Sequence, residues 1–112
     1  MNLADTPSPP YYVVIFTSLR QPGDDAAYAA MAEKMRQLAA EQEGFLGMES
    51  ARNDVGITVS YWKDPAAIRA WKNHVEHVAA RRLGREKWYS RFIVRVARVE
   101  KEYRFDRSDE AM

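Results

Sequence analysis

The sequence contains no cysteine, which excludes disulfide bonds, thiolate metal ligands and a cysteine nucleophile. The sequence also lacks a strong excess of either positive or negative charge, because 17 basic and 16 acidic residues leave a net charge of only +1. Composition therefore favours neither nucleic acid nor a membrane surface as a partner. No apolar run approaches the roughly 20 residues that a membrane helix needs. The lack of cysteine fits a reducing compartment, and the predicted location is the cytoplasm.

The chain of 112 residues has the length of one domain. Residues 1–10 contain three prolines, which block regular pairing, and they lack the apolar core of a signal peptide. We expect a disordered lead over 1–10, a folded domain over 11–105 and a flexible polar tail over 106–112.

Hydrophobic periodicity predicts the order β-α-β-β-α-β within the domain. The predicted strands are 11–19, 45–52, 57–63 and about 90–105. The first predicted helix follows a cap at Asp24 or Asp25 and runs to about 43, and the second runs from 65 to about 83. Asp64 can cap the second helix, and Pro65 suits its first position. This order predicts a ferredoxin-like α+β sandwich, in which a four-stranded antiparallel sheet carries both helices on one face.

The predicted strands are apolar on both faces, as Val13 and Ile15 alternate with Val14 and Phe16. Two helices can cover only one of these faces. We expect a second copy of the sheet to cover the other, which predicts a homodimer. An uncovered apolar face of several hundred Å2 would favour aggregation.

The run from Tyr61 to Tyr89 holds all three tryptophans and both histidines. Large aromatic side chains can wall an apolar pocket, and histidine exchanges its proton near neutral pH. In an unbroken second helix, His74 lies at the edge of the apolar stripe and His77 faces solvent. A new N-cap at Asn73 would turn His77 inward, and the sequence allows both arrangements.

Structural roles compete with functional ones for each of these side chains. Trp71 falls on the apolar stripe and has the pattern of a core residue, whereas Trp62 is equally suited to core and pocket wall. Both histidines could be surface residues. They offer no third metal ligand other than Glu76 or a distant carboxylate, so no metal site is predicted.

Two segments carry a resemblance to a known family. The phrase EGFLGMES and the run YWKDPAAIRAWKNHVEHVAARRLGREKWY are similar to the antibiotic biosynthesis monooxygenase family of small ferredoxin-like proteins. The resemblance covers residues 11–105. It implies a dimer whose sheets pack into a shared barrel, and a pocket between sheet and helices in each protomer. Some members oxygenate quinol precursors without metal or flavin, and others degrade haem.

The haem-degrading branch of that family has an Asn on the first strand, a Trp on the second helix and a His about ten residues later. Trp71 matches this Trp, but the first strand has no Asn and the later position is Arg81. The departures from the pattern make haem degradation the less favoured activity.

The resemblance implies a cofactor-independent monooxygenase that oxidises a small aromatic phenol or quinol, with no cofactor. Under this hypothesis His77 or His74 is the base, and the substrate contacts are Trp62, Trp71 and Tyr103. The alternative is a non-catalytic dimer that binds a small ligand or serves in a stress response.

Overall fold

The computed structural model describes residues 3–77 and 87–107. The elements in chain order are β1 (Tyr11–Arg20), α1 (Asp25–Ala40), β2 (Phe45–Arg52), β3 (Gly56–Trp62), α2 (Pro65–His77) and β4 (Tyr89–Val99). The strands form one antiparallel sheet in the order β2-β3-β1-β4. The predicted ferredoxin-like α+β fold is thereby confirmed.

Both helices begin at an aspartate cap. The carboxylates of Asp24 and Asp64 accept hydrogen bonds from the N–H groups of Ala27 and Ala67, at 3.0 and 2.8 Å. Helix α1 ends at Ala40, short of the predicted residue 43, and the chain reaches β2 through Gly44 at φ +85°. A Cβ on Gly44 would lie 2.7 Å from the Cβ of Ala67, so this glycine allows α2 to pack close to the start of β2.

Helix α2 runs without interruption through Asn73, so the alternative with a new N-cap at Asn73 is wrong. The part of the predicted helix between residues 78 and 83 lies outside the described residues.

Strand β4 ends at Val99 and not at the predicted Phe105. Tyr11 is the register partner of Val99 and is the first residue of β1. Pro10 precedes it and has no N–H to offer a neighbouring strand, so the pairing stops there. Residues 100–107 continue beyond the sheet.

The side of the sheet that faces the helices is marked by Trp62, whose ring lies 6.0 Å from that of Trp71 on α2. Register and alternation assign Tyr12, Val14 and Phe16 of β1 and Phe92, Val94 and Val96 of β4 to the same side. The main helix–sheet contacts are α1 with β2 and α2 with β3. Val94 and Val96 are consequently 49% and 57% exposed. We call Phe92, Val94 and Val96 the apolar strip.

The opposite side of the sheet contacts the N-terminal strap, by which we mean residues 3–10. The backbone N–H of Ala4 donates to the carboxylate of Glu49 at 2.9 Å, and the Thr6 hydroxyl donates to Glu102 at 2.9 Å. The strap has no helix or strand, as its prolines predict. Disorder of residues 1–10 stays a prediction.

Glu102 joins the strap, β1 and the segment after β4. Its carboxylate accepts hydrogen bonds from Arg104 Nε at 2.5 Å, from the Tyr11 hydroxyl at 2.8 Å and from the Thr6 hydroxyl. These hydrogen bonds, of which the one from Arg104 is the largest influence, lower the pKa of Glu102 to about 2. The fold therefore stabilises the charged form of this carboxylate.

We expect the contribution of Glu102 to stability to depend on pH. Because folding lowers its pKa from 4.5 to about 2, the stabilisation is complete above the unfolded value and is lost as pH falls toward the folded one. The Tm difference between the wild type and Glu102→Gln should be largest near neutral pH and shrink below about pH 4. Thermal denaturation at several pH values measures it, with the exposed Glu43→Gln as control. A Tm difference independent of pH would contradict this role.

Candidate functional site

An aromatic stack connects the sheet to α2. Phe45 meets Trp62 edge-on with ring centroids 5.4 Å apart, Trp62 stacks on Trp71 at 6.0 Å, and Trp71 stacks on His74 at 5.9 Å. Trp71 and His74 are three residues apart on α2 and therefore share one face of the helix. Trp62 is fully buried and donates its indole N–H to Ser60 Oγ at 2.9 Å. The stack is thus a rigid wall that ends on a titratable ring.

His74 is the polar end of this stack. It is half-buried, and its Nε2 atom is buried without a hydrogen-bond partner among residues 3–77 and 87–107. Buried polar atoms are usually satisfied, so an unpaired one calls for an explanation such as a catalytic role. A neutral imidazole has one nitrogen that can accept a proton. His74 is therefore suited to act as a base beside the Trp71 indole.

The predicted site residues do not all lie together. The structure brings Trp62, Trp71 and His74 into one stack. His77 is the last residue of α2, and its side chain lies outside the described part of the chain. Tyr103 is 89% exposed on the segment after β4, whose neighbouring Glu102 contacts the strap. The functional roles assigned to these five residues stay predictions.

A second polar group, the arginine–tyrosine cluster of Arg20, Tyr28, Arg52 and Tyr89, lies near the other end of β1. The hydroxyl oxygens of Tyr28 and Tyr89 are 3.2 Å apart. The guanidinium carbons of Arg20 and Arg52 lie 3.8 and 5.7 Å from the centre of the Tyr28 ring. Burial and then the hydrogen bond with Tyr28 raise the pKa of Tyr89, although both arginines act in the opposite direction. Both cationic groups therefore lie against the Tyr28 ring, close enough to Tyr89 to influence its pKa.

The apolar strip lies between the aromatic stack and the arginine–tyrosine cluster. Tyr12, at the start of β1, lies beside Trp62 of β3. Further along β1, the partners on β4 are Val96, then Val94 and finally Phe92, which lies beside Ser18. The Tyr89 ring then meets Phe92 at 6.0 Å. The helix side of the sheet thus carries a base at one end, an open apolar surface in the middle and cations at the other end.

Sequence reasoning missed Phe45, Ser60 and the arginine–tyrosine cluster. Ser60 could have been found, because it precedes Trp62 by two positions and strand alternation places both on one face. The contact between Arg52 and Ser18 joins residues 34 positions apart, and no local pattern indicates it.

The described part of the chain also bears on metal binding and on membrane insertion. Residues 3–77 and 87–107 contain no group of three or more His, Asp or Glu side chains that could hold a metal ion. Within the same ranges, neither helix has the length and apolar character required to cross a membrane.

Comparison with known proteins gives consistent matches over most of the chain. The profile of the family described as antibiotic biosynthesis monooxygenase matches residues 10–83. The uncharacterised protein YqjZ of Bacillus subtilis (strain 168) is 50% identical over 105 residues, which cover 92% of this chain and 91% of YqjZ.

Solved structures share the fold at low sequence identity. PA3566 from Pseudomonas aeruginosa superimposes with a TM-score of 0.65 at 17% identity, over 86% of this chain and 98% of its own. SnoaB, a cofactor-independent oxygenase from Streptomyces nogalater, superimposes with a TM-score of 0.67 at 15% identity, over 81% and 95% of the two chains.

We expect removal of the Trp62 ring to be the most destabilising change in the aromatic stack. Trp62→Ala would leave a cavity between sheet and α2 and lower the free energy of unfolding by about 3–5 kcal/mol. Ser60→Ala removes only the hydrogen bond to the indole and should cost about 1 kcal/mol. Urea denaturation measures both. If Trp62→Ala costs no more than Ser60→Ala, the stack is not what holds α2 on the sheet.

Proposed function

The chain belongs to the antibiotic biosynthesis monooxygenase family, and we propose that it is a cofactor-independent monooxygenase acting on a small aromatic phenol or quinol. The observation that carries this proposal is the aromatic stack that ends on His74, whose buried Nε2 has no hydrogen-bond partner in the described part of the chain. The apolar strip lies on the same side of the sheet and offers an accessible surface for an aromatic ring. Likeness to SnoaB supports the fold as a scaffold for such chemistry.

Trp71 and the apolar strip would bind the substrate ring, because both present apolar surface on the helix side of the sheet. His74 would be the base for the substrate hydroxyl, which requires that ligand binding bring its buried Nε2 into contact with that hydroxyl. The resulting phenolate gives up electrons more readily than the neutral phenol, and dioxygen is the electron acceptor. A site lined by apolar groups also limits water at the oxidised ring. Trp62 is fully buried, so its role would be to hold Trp71 in place.

The overall reaction balances without an external reductant. A phenol ring C–H and O–H, together with one dioxygen, give a quinone and one water. One oxygen atom enters the ring as the new carbonyl, and the other leaves as water with the two hydrogens of the substrate. The four electrons that reduce dioxygen all come from the substrate. Tyr103 is exposed beyond β4, so this scheme gives it no step.

We expect His74→Ala to lower kcat by about 100-fold or more, since general base catalysis commonly contributes that much. Oxygen consumption with hydroxylated naphthalenes and anthrones measures the rate. His77→Ala is the matched comparison, because His77 is the second candidate base and lies on the same helix. Trp71→Phe should raise KM more than it lowers kcat, since it keeps an aromatic surface and removes contact area.

Two outcomes would contradict the proposal in different ways. A wild-type rate in His74→Ala would show that His74 is not the base, and a loss confined to His77→Ala would assign that role to His77. If the wild type accelerates oxygen consumption with none of these compounds but binds them, the protein is a non-catalytic small-ligand-binding protein.

We further propose that the protein is a homodimer, located in the cytoplasm, whose protomers meet through the sheet side opposite the helices. Leu19 and Ile57 are 41% and 45% exposed on this side. The strap contacts the end of the sheet near Tyr11 and Glu49, and leaves the end near Leu19 and Ile57 uncovered. A second copy would bury this apolar surface.

We expect Ile57→Asp to dissociate the dimer, because it would bury an unpaired carboxylate in the interface. Val96→Asp is the matched control, since Val96 is an exposed valine on the helix side of the sheet. Sedimentation equilibrium at about 10 μM should give a dimer for the wild type and Val96→Asp, and a monomer for Ile57→Asp. Dissociation by Val96→Asp alone would place the interface on the helix side.

A further inference from the structure

We propose that the helix-side site selects an elongated apolar ligand that carries one acidic group, with that group bound by Arg20 and Arg52. This inference rests on the proposed function, because it concerns the same site. It adds the chemical class of the ligand and two specificity-determining residues. The acidic group is a carboxylate, a sulfonate or an ionised phenol, and the apolar body lies along the apolar strip.

The arginine–tyrosine cluster has more positive charge than the carboxylates in the described part of the chain neutralise. Arg20 pairs with Asp25 at 3.3 Å, and this carboxylate is itself exposed to solvent. The Nε atom of Arg20 is buried and has no hydrogen-bond partner in the described part of the chain. Arg52 donates to the hydroxyl of Ser18, which is a neutral group. Within residues 3–77 and 87–107, one exposed carboxylate thus pairs with these two guanidinium groups, and an anionic ligand would complement them.

The cationic groups adjoin the apolar strip. Arg52 reaches across Gly56 to Ser18, and Ser18 is the register partner of Phe92, the first residue of the strip. Tyr89 belongs to the cluster, and its ring meets Phe92. A ligand whose ring lies on Phe92 would therefore place a substituent within reach of the guanidinium of Arg52.

The tyrosine pair supplies a further donor. Tyr28 and Tyr89 share one hydrogen bond between their hydroxyls, so one of the two O–H groups remains free to donate. Both hydroxyls are protonated at neutral pH, because tyrosine ordinarily loses its proton only near pH 10. Two planar guanidinium groups and a hydroxyl can donate several hydrogen bonds at once to the oxygens of an acidic group.

A purely structural role for the arginines is the competing explanation, since each lies over the Tyr28 ring as a cation–π partner. In that case the arginines would stabilise the fold without distinguishing charged from neutral ligands. Comparing two probes of the same shape and different charge separates the two explanations.

The probes are 8-anilinonaphthalene-1-sulfonate and N-phenyl-1-naphthylamine, which share one ring skeleton and differ by the sulfonate. Fluorescence titration of the full chain should show tighter binding of the sulfonate, and its affinity should fall as salt rises from about 0.1 to 0.5 M. In the double variant Arg20→Met with Arg52→Met, the affinity for the sulfonate should fall at least about tenfold, as expected for lost hydrogen bonds to a charged group. The affinity for the neutral probe should change less than about twofold.

Arg95→Met is the matched control, because Arg95 pairs with Ile15 and lies on the other side of the sheet. It changes the net charge by one unit without touching the site, and should leave the ratio of the two affinities unchanged. An unchanged ratio in the Arg20 and Arg52 double variant would overturn the proposal. A change of the ratio in Arg95→Met as large as that in the double variant would also overturn it. If the double variant does not fold, the single variant Arg52→Met, which changes an exposed residue, replaces it. The ratio of the two affinities in this variant and its salt dependence in the wild type then test the proposal.

This test is independent of the oxidation chemistry. A protein that consumes no oxygen but discriminates between the probes would contradict the proposed reaction and support the ligand class. A protein that oxidises neutral phenols and shows no discrimination would do the reverse.

Discussion

The structure depends on the burial of Trp62 between the sheet and α2. Its indole is fully enclosed, its N–H is satisfied by Ser60, and its faces meet Phe45 and Trp71. A tryptophan buried in this way contributes a large apolar area and a fixed orientation at once. The position of α2, and with it the position of His74, follows from where this ring lies.

In the described part of the chain, α2 packs mainly on β3 and α1 on β2, and the middle of β4 stays exposed on the helix side. The exposed valines 94 and 96 are therefore a consequence of the same arrangement that buries Trp62. A sheet face that is apolar and open next to a rigid aromatic wall is the usual form of a ligand site. The opposite side differs, because the N-terminal strap covers part of it and is joined to Glu102 by hydrogen bonds.

Local signals allowed most of the fold to be predicted from the sequence. The Asp64–Pro65 pair marks the start of α2, and alternation in β3 marks its two faces. The end of β4 could not be predicted, because it depends on Pro10, which lies far away in sequence and stops the pairing of β1. The aromatic stack was partly predictable from the spacing of Trp71 and His74. The contact of Arg52 with Ser18 was not, because it depends on strand register.

The dimensions of the helix side bear on the size of the substrate. Tyr12 lies beside Trp62 at one end of β1, and Ser18 lies beside Phe92 at the other. These two residues are six positions apart, which is about 20 Å at the usual strand rise. A single phenol ring would contact only one end of this surface. Fused rings would cover more of the apolar strip, and an extended substituent ending in an acidic group could reach the cations while a hydroxyl lies toward the base. The geometry thus favours polycyclic phenols over simple ones as substrates of the proposed reaction.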